Sequence, residues 1–128
     1  MKYLLDTHVL IWFAEGDNRL PLQIRSIILD QNNSIFVSYA SIWEMAIKIS
    51  LGKLIVQFKM PEWESMLNEK GFSIISLNFQ HFQHLINLPF HHSDPFDRLL
   101  IAQAAEEDFT IITHDAIFKH YDVLLEAF

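Results

Sequence analysis

Five short apolar runs punctuate the 128-residue chain: Tyr3–Leu5, Ile35–Val37, Ile74–Leu77, Thr110–Ile112 and Val123–Leu125. None alternates polar with apolar residues, the pattern of strands covered on both faces in a parallel sheet rather than half-exposed antiparallel ones. The stretches between them supply helices. Residues Pro21–Asp30 carry Leu22, Ile24, Ile27 and Ile28 at helical spacing, and residues 39–50 repeat Ile42, Ala46 and Ile49 every three or four positions. Pro61–Lys70 opens on a first-turn proline and stops at Gly71, and Phe79–Leu88 stops before Pro89. Pro95–Glu107 follows Asp94, an N-cap with proline directly after it, and a short helix covers Ala116–His120. Strands alternating with helices imply right-handed crossovers and a mainly parallel sheet. The expectation is an α/β three-layer sandwich, a five-stranded sheet flanked by helices, with a helical elaboration over roughly residues 39–70. No linker, repeat or low-complexity tract interrupts the pattern, so residues 1–128 read as a single domain.

Composition narrows the function classes. Half of the residues are apolar (51%), enough for a buried core. The absence of cysteine removes disulfides, thiolate zinc sites and thiol catalysis, and fits a reducing compartment. The segment MKYLLDTHVLIWFA has the outline of a signal peptide, but Asp6 and His8 break it. No apolar run approaches the ~18 residues of a membrane span, so a soluble, cytoplasmic protein without membrane association is expected. A net charge of −7 argues against holding nucleic acid by bulk electrostatics. It leaves room for a nuclease whose metal ions neutralise its acids, and for a basic protein partner.

Asp6, Glu44, Asp97 and Asp115 are far apart in the chain, yet each falls where a strand hands over to a helix or just inside a helix start. In a parallel sheet all such places lie outside the carboxyl ends of the strands, where these folds bind ligands. Acids converging there repel: two unit charges ~4 Å apart cost roughly 4 kcal/mol at an effective dielectric near 20. A divalent cation would offset that, so Asp6, Glu44, Asp97 and Asp115 are the candidate metal-holding and catalytic residues.

Each has a local alternative. Asp6, in LLDTH, suits an Asx turn after a strand. Glu44 completes a capping box with Ser41; if Ser38 caps instead, Glu44 sits one turn inside the helix facing the crevice. The strand ending at Val37 leaves little room for a long loop and favours Ser38. In DPFDRLLIAQA both Asp94 and Asp97 suit a helix start, with Asp94 as the cap and Asp97 turned toward the crevice. Asp115 is either the cap of a last short helix or a fourth acid. Thr7 and Thr113 place hydroxyls at the same edge, where threonines commonly satisfy local backbone groups.

Seven histidines are present, and His8, His91, His92 and His114 lie near the proposed crevice in sequence, but no HExxH or HxxxH spacing supports zinc. His81 and His84 share a helix face in a spacing that fits a solvated surface. An all-oxygen set suits Mg²⁺ or Mn²⁺. Of the large aromatics, Trp12, Trp43 and Trp63 are too bulky for all to be fully buried, and an exposed one would mark an interface.

The pieces LLDTHVLIW, SIWEMAIK, DPFDRLLIAQA and ITHD resemble, in order and over almost the whole chain, the PIN domain, and most closely the VapC-like ribonuclease toxins of bacterial type II toxin–antitoxin pairs. DPFDRLLIAQA is the specific piece. The resemblance implies a five-stranded parallel sheet between helices, acidic residues at Asp6, Glu44, Asp97 and, less uniformly, Asp115, and a Mg²⁺- or Mn²⁺-dependent endoribonuclease. It also implies frequent homodimers and a small cognate antitoxin whose C-terminal segment wraps the toxin. His114 departs from the family pattern, standing where a basic or small residue often precedes the last acid.

The expected reaction is hydrolysis of phosphodiester bonds in single-stranded RNA. Asp6, Glu44 and Asp97 hold the ion and Asp115 assists, the ion activating water and stabilising charge on the phosphate. The resemblance implies 5′-phosphate and 3′-hydroxyl products. Arg98 and Lys48 are candidate phosphate contacts, equally readable as surface cations. A haloacid-dehalogenase-like phosphatase also begins with an Asp after a central strand, but needs a second Asp where His8 stands. A non-catalytic cation- or protein-binding module is the third reading.

Overall fold

The computed structural model describes residues 1–128. The strands are β1 (Lys2–Leu5), β2 (Ser34–Ser38), β3 (Ser73–Ile75), β4 (Thr110–Thr113) and β5 (Leu124–Ala127). They form one sheet in the order β3-β2-β1-β4-β5, and every neighbouring pair is parallel. Leu4 lies opposite Phe36 on one side and Ile111 on the other, which puts β1 at the centre. The chain leaves β1 toward β2 and later crosses back to β4, so the strand order reverses beside β1. Outside the carboxyl ends of β1 and β4 lies the crevice that such a reversal creates.

Helices α1 (Thr7–Glu15), α2 (Leu22–Leu29), α3 (Tyr39–Ser50), α4 (Met60–Glu69), α5 (Phe79–Ile86) and α6 (Pro95–Glu107), with a 3-10 helix over Ala116–His120, complete the chain. Side-chain alternation along β1 divides the core. Tyr3 and Leu5 join Val9, Leu10, Ile24, Ile28, Met45, Trp63 and Leu67 from α1 to α4 on one face. Leu4 joins Leu100, Ile101, Ile111 and Phe118 on the other. α6 is buried without a break from Arg98 to Ala104, because the sheet covers one side and α5 and α3 pack on the others.

Differences from the sequence expectations have local causes. α1 has no counterpart among them: Val9–Phe13 is uniformly apolar and carries no amphipathic rhythm, because all five residues are buried. Gly16, at φ 65, ends α1 with a left-handed turn that glycine adopts without strain. β3 covers only Ser73–Ile75, β5 begins at Leu124, and α5 ends at Ile86 rather than Leu88. His81 is not on a solvated face. It is buried, completes a capping box with Asn78, and places Nε2 3.0 Å from Glu107 Oε1. Trp63 and Trp12 are buried, and Trp43 alone of the three stands out, 58% exposed.

Candidate metal and phosphate site

Asp6 follows β1 directly. Its backbone N–H donates to Ile112 O at 3.1 Å, prolonging the ladder between the two central strands by one bond. It occupies the N-cap position of α1, yet its carboxylate makes no capping hydrogen bond. The side chain, 3% exposed, instead accepts from Thr113 Oγ1 at 2.8 Å. Thr113 Oγ1 in turn accepts from the backbone N–H of Asp115 at 3.0 Å, so one hydroxyl aligns the acids that follow β1 and β4. Thr7 Oγ1 donates to Ser41 Oγ at 2.9 Å, joining the first turn of α1 to α3. Neither threonine is merely a local backbone partner.

The cap of α3 is Ser38, whose hydroxyl accepts from Ala40 N at 3.0 Å. Ser41 is thus released from capping, and Glu44 lies one turn inside, 3% exposed. Glu44 Oε2 meets Lys48 Nζ at 2.6 Å, while Oε1 is buried without any hydrogen-bond partner. A buried carboxylate oxygen left unsatisfied carries a desolvation cost. Asp94 caps α6, accepting from Phe96 N and Asp97 N. Asp97, in the first turn, places Oδ2 3.2 Å from His92 Nε2. Asp115 is exposed and caps the 3-10 helix through Oδ1, which accepts from Ile117 N at 3.0 Å.

At Asp97 the fields of the other acids meet. Burial pushes the Asp97 carboxyl up to about 8, and the negative charges of Asp6, Asp94, Glu44 and Asp115 push it the same way. Burial likewise raises Asp6, against the Thr113 hydroxyl, the nearby His8 and the Thr7 backbone, which favour its charged form. Lys48 is raised by its hydrogen bond to Glu44 and lies in the fields of Asp94 and Asp97. The site is therefore an excess of carboxylate partly compensated by one ammonium.

No three His, Asp or Glu side chains are gathered tightly enough to hold an ion as they stand. The donor chemistry nevertheless fits a hard divalent cation. In each of Asp6, Glu44, Asp97 and Asp115 one oxygen is held by a protein hydrogen-bond partner, and the other accepts no side-chain hydrogen bond. At Glu44 that second oxygen is the buried orphan, and the Lys48 ammonium stands beside the first, where a cation would relieve the acids.

Arg98 does not belong to the site as a phosphate contact. It is 4% exposed and donates to Leu88 O and Pro89 O at 3.1 and 2.8 Å, with its guanidinium 3.8 Å from the centre of the Phe90 ring. Sequence reading placed His92 near the crevice but gave it no role, and it missed Tyr121; the two meet across 29 residues with Nδ1 and the phenol oxygen 2.8 Å apart. A groove of about 580 Å³ lies at the opposite edge of the sheet between Leu88, Phe109 and Leu124, and none of the four acids lines it.

A fully parallel sheet reversing beside its central strand, with acids at the reversal, defines an α/β protein with its candidate site in the crevice at the strands' carboxyl ends. The family model for the PIN domain matches residues 3–124, and the chain belongs to that family. No curated protein matches the sequence. Among solved structures, VapBC2 from Rickettsia felis, bound to a DNA fragment from its promoter, matches with a TM-score of 0.73 at 20% identity, over 99% of this chain and 98% of that one. VapBC-1 from nontypeable Haemophilus influenzae matches with 0.73 at 18% identity over the same shares. VapBC-5 from Mycobacterium tuberculosis, of the VapBC family of toxin–antitoxin systems, matches with 0.60 at 14% identity, over 98% and 96%. At these identities the likeness is one of fold.

Proposed function

We propose that this chain is a Mg²⁺- or Mn²⁺-dependent endoribonuclease and the toxin of a type II toxin–antitoxin pair, acting in the cytoplasm. The observation that carries the reading is the set of four acids at the strand reversal, each with one oxygen held by a protein partner and the other accepting no side-chain hydrogen bond. Asp6, Glu44 and Asp97 would hold the ion, with Asp115 at the exposed side. A bound divalent ion supplies acidified water and stabilises charge on the phosphate. The chain's part is orientation. Thr113 fixes Asp6, Lys48 fixes Glu44, and the burial of Asp6 and Glu44 keeps bulk water from screening the charges that act on the substrate. PIN membership sets the haloacid-dehalogenase alternative aside.

The test is cleavage of a defined single-stranded RNA by purified protein with Mg²⁺, Mn²⁺ or EDTA. Cleavage should need the ion, leave 5′-phosphate and 3′-hydroxyl ends, and vanish in Asp6→Asn and Glu44→Gln. Full activity in EDTA refutes the mechanism, and rescue by Zn²⁺ alone moves the chemistry to histidine.

A small antitoxin is the proposed protein partner, as in the VapBC complexes that share this fold. The supporting observations are the exposed Trp43 and Tyr39 on α3, a groove of about 320 Å³ between Ile42, Met60, Trp63 and Ile74, and a second of about 530 Å³ between Ile49, Leu54, Ile55 and Phe58. A basic antitoxin side chain entering the acidic crevice would compete with the ion, so inhibition should weaken as Mn²⁺ rises. A homodimer is proposed from family membership, with the exposed Phe79 and Ile86 of α5 available to it. Co-purification with the neighbouring gene product and light scattering of the isolated chain decide these two points.

A further inference from the structure

We propose that His92 is a positioning residue for Asp97, its Nδ1 accepting from the hydroxyl of Tyr121 and its Nε2–H donating to the acid. The assignment rests on the reading of Asp97 as an acid that holds the ion, and adds how that acid is aimed.

The argument is a count of donors at one phenol oxygen. Tyr121 Oη accepts from the backbone N–H of His91 at 3.2 Å, from that of His92 at 3.3 Å, and from Arg98 Nη1 at 3.2 Å. The three N–H groups share the two lone pairs of the phenol oxygen, and the hydroxyl has a single proton to give. The remaining neighbour is His92 Nδ1, 2.8 Å away, which must therefore accept. A doubly protonated imidazole would present a fourth donor to the same oxygen and leave the phenol proton without a partner. The ring proton then sits on Nε2, which faces Asp97 Oδ2 at 3.2 Å. Donation runs in one direction, from Arg98 through Tyr121 and His92 to Asp97.

The frame behind this chain is stiff. Arg98, the residue after Asp97, is buried and grips the carbonyls of Leu88 and Pro89, while Tyr121 grips the N–H groups of His91 and His92. The segment before α6 is thereby pinned at both ends, and the imidazole cannot swing from the acid without breaking several bonds. Holding Oδ2 in this way turns the other Asp97 oxygen toward whatever the crevice binds. Partners of this kind behind a ligating group alter metal affinity by ~10–100-fold when removed.

The test uses the full chain in two measurements. In the metal-free protein, long-range ¹H–¹⁵N correlation should show His92 as the neutral Nε2–H tautomer, and Tyr121→Phe should lose that preference. Calorimetric titration with Mn²⁺ should give affinity ~10–100-fold weaker for His92→Leu than for wild type. His92→Gln, whose amide nitrogen reaches the place of Nε2, should recover most of it. A purely packing role would not move the tautomer and would not separate Gln from Leu. An Nδ1–H or doubly protonated ring in wild type overturns the assignment, as does equal Mn²⁺ affinity in all variants. Should His92→Leu fail to fold, His92→Gln and the tautomer still decide, and a His92→Gln variant that binds more than ~10-fold weaker than wild type counts against the proposal. Wild-type protein that binds no Mn²⁺ overturns the reading of the acids and this assignment with it. Binding that His92→Leu leaves unchanged overturns the assignment alone.

Discussion

Replacing Asp97 by asparagine should stabilise the metal-free protein, and by an amount that grows with pH. The Asp97 carboxyl is pushed up to about 8 from 3.8, chiefly by burial and then by Asp6, Asp94, Glu44 and Asp115. A raised carboxyl binds its proton more tightly in the folded state than in the unfolded chain, so stability falls as pH rises from about 4 to about 8. At pH 7 the unscreened shift corresponds to about 4 kcal/mol, from roughly three pH units at 1.36 kcal/mol each. The crevice is open to water and salt, so half of that, about 2 kcal/mol, is the expected net effect. The asparagine amide keeps an oxygen to accept from His92 and carries no charge. In EDTA, urea unfolding of the two proteins should give equal stability near pH 4, with the Asp97→Asn variant ahead by about 2 kcal/mol at pH 7, or ~8 °C in melting temperature. Adding Mn²⁺ should reverse the order, since the ion stabilises only the protein that binds it. A difference independent of pH, or a less stable variant at pH 8, would refute the reasoning.

Asp94→Ala should behave oppositely, losing about 0.5–2 kcal/mol with the cap of α6 at every pH above the carboxylate range, as measured by urea unfolding. Arg98→Ala leaves the Leu88 and Pro89 carbonyls without their guanidinium donor and should cost about 3 kcal/mol or more, while the salt dependence of RNA binding by the folded fraction stays unchanged; a flatter salt slope would restore Arg98 as a phosphate contact. Lys48→Met should lower metal-free stability by about 1–3 kcal/mol, because Glu44 loses its partner, and should raise Mn²⁺ affinity in calorimetry; weaker binding would show that Lys48 assists the ion rather than competing with it.

What could be read from the chain follows the range of the interactions involved. Strand runs and helix caps are local, so Ser38 placed Glu44, and the Asp94–Pro95 step placed Asp97, within a few residues of where they stand. The convergence of Asp6 with Asp115 also followed, because parallel connectivity brings all strand ends to one edge. α1 escaped because five consecutive buried residues have no period to detect, and His81 because its partner Glu107 is on another helix. Arg98 misleads for a related reason: an arginine beside an acid motif reads as a surface cation until the Leu88 and Pro89 carbonyls fold back onto it. The Tyr121–His92 contact joins residues 29 apart, with no motif to announce it.

With a divalent ion held as proposed, the ammonium of Lys48, 2.6 Å from Glu44, would make the crevice an ion exchanger rather than an empty receptacle. Loading would then be a swap in which a tethered monovalent cation yields its place to a free divalent one. The displaced amine, on a flexible four-carbon stem, stays at the mouth where an anionic chain would arrive. A protein wired this way can fold and persist where divalent ions are scarce. Its occupancy then follows the ratio of free ion to a competitor whose local concentration the fold itself sets.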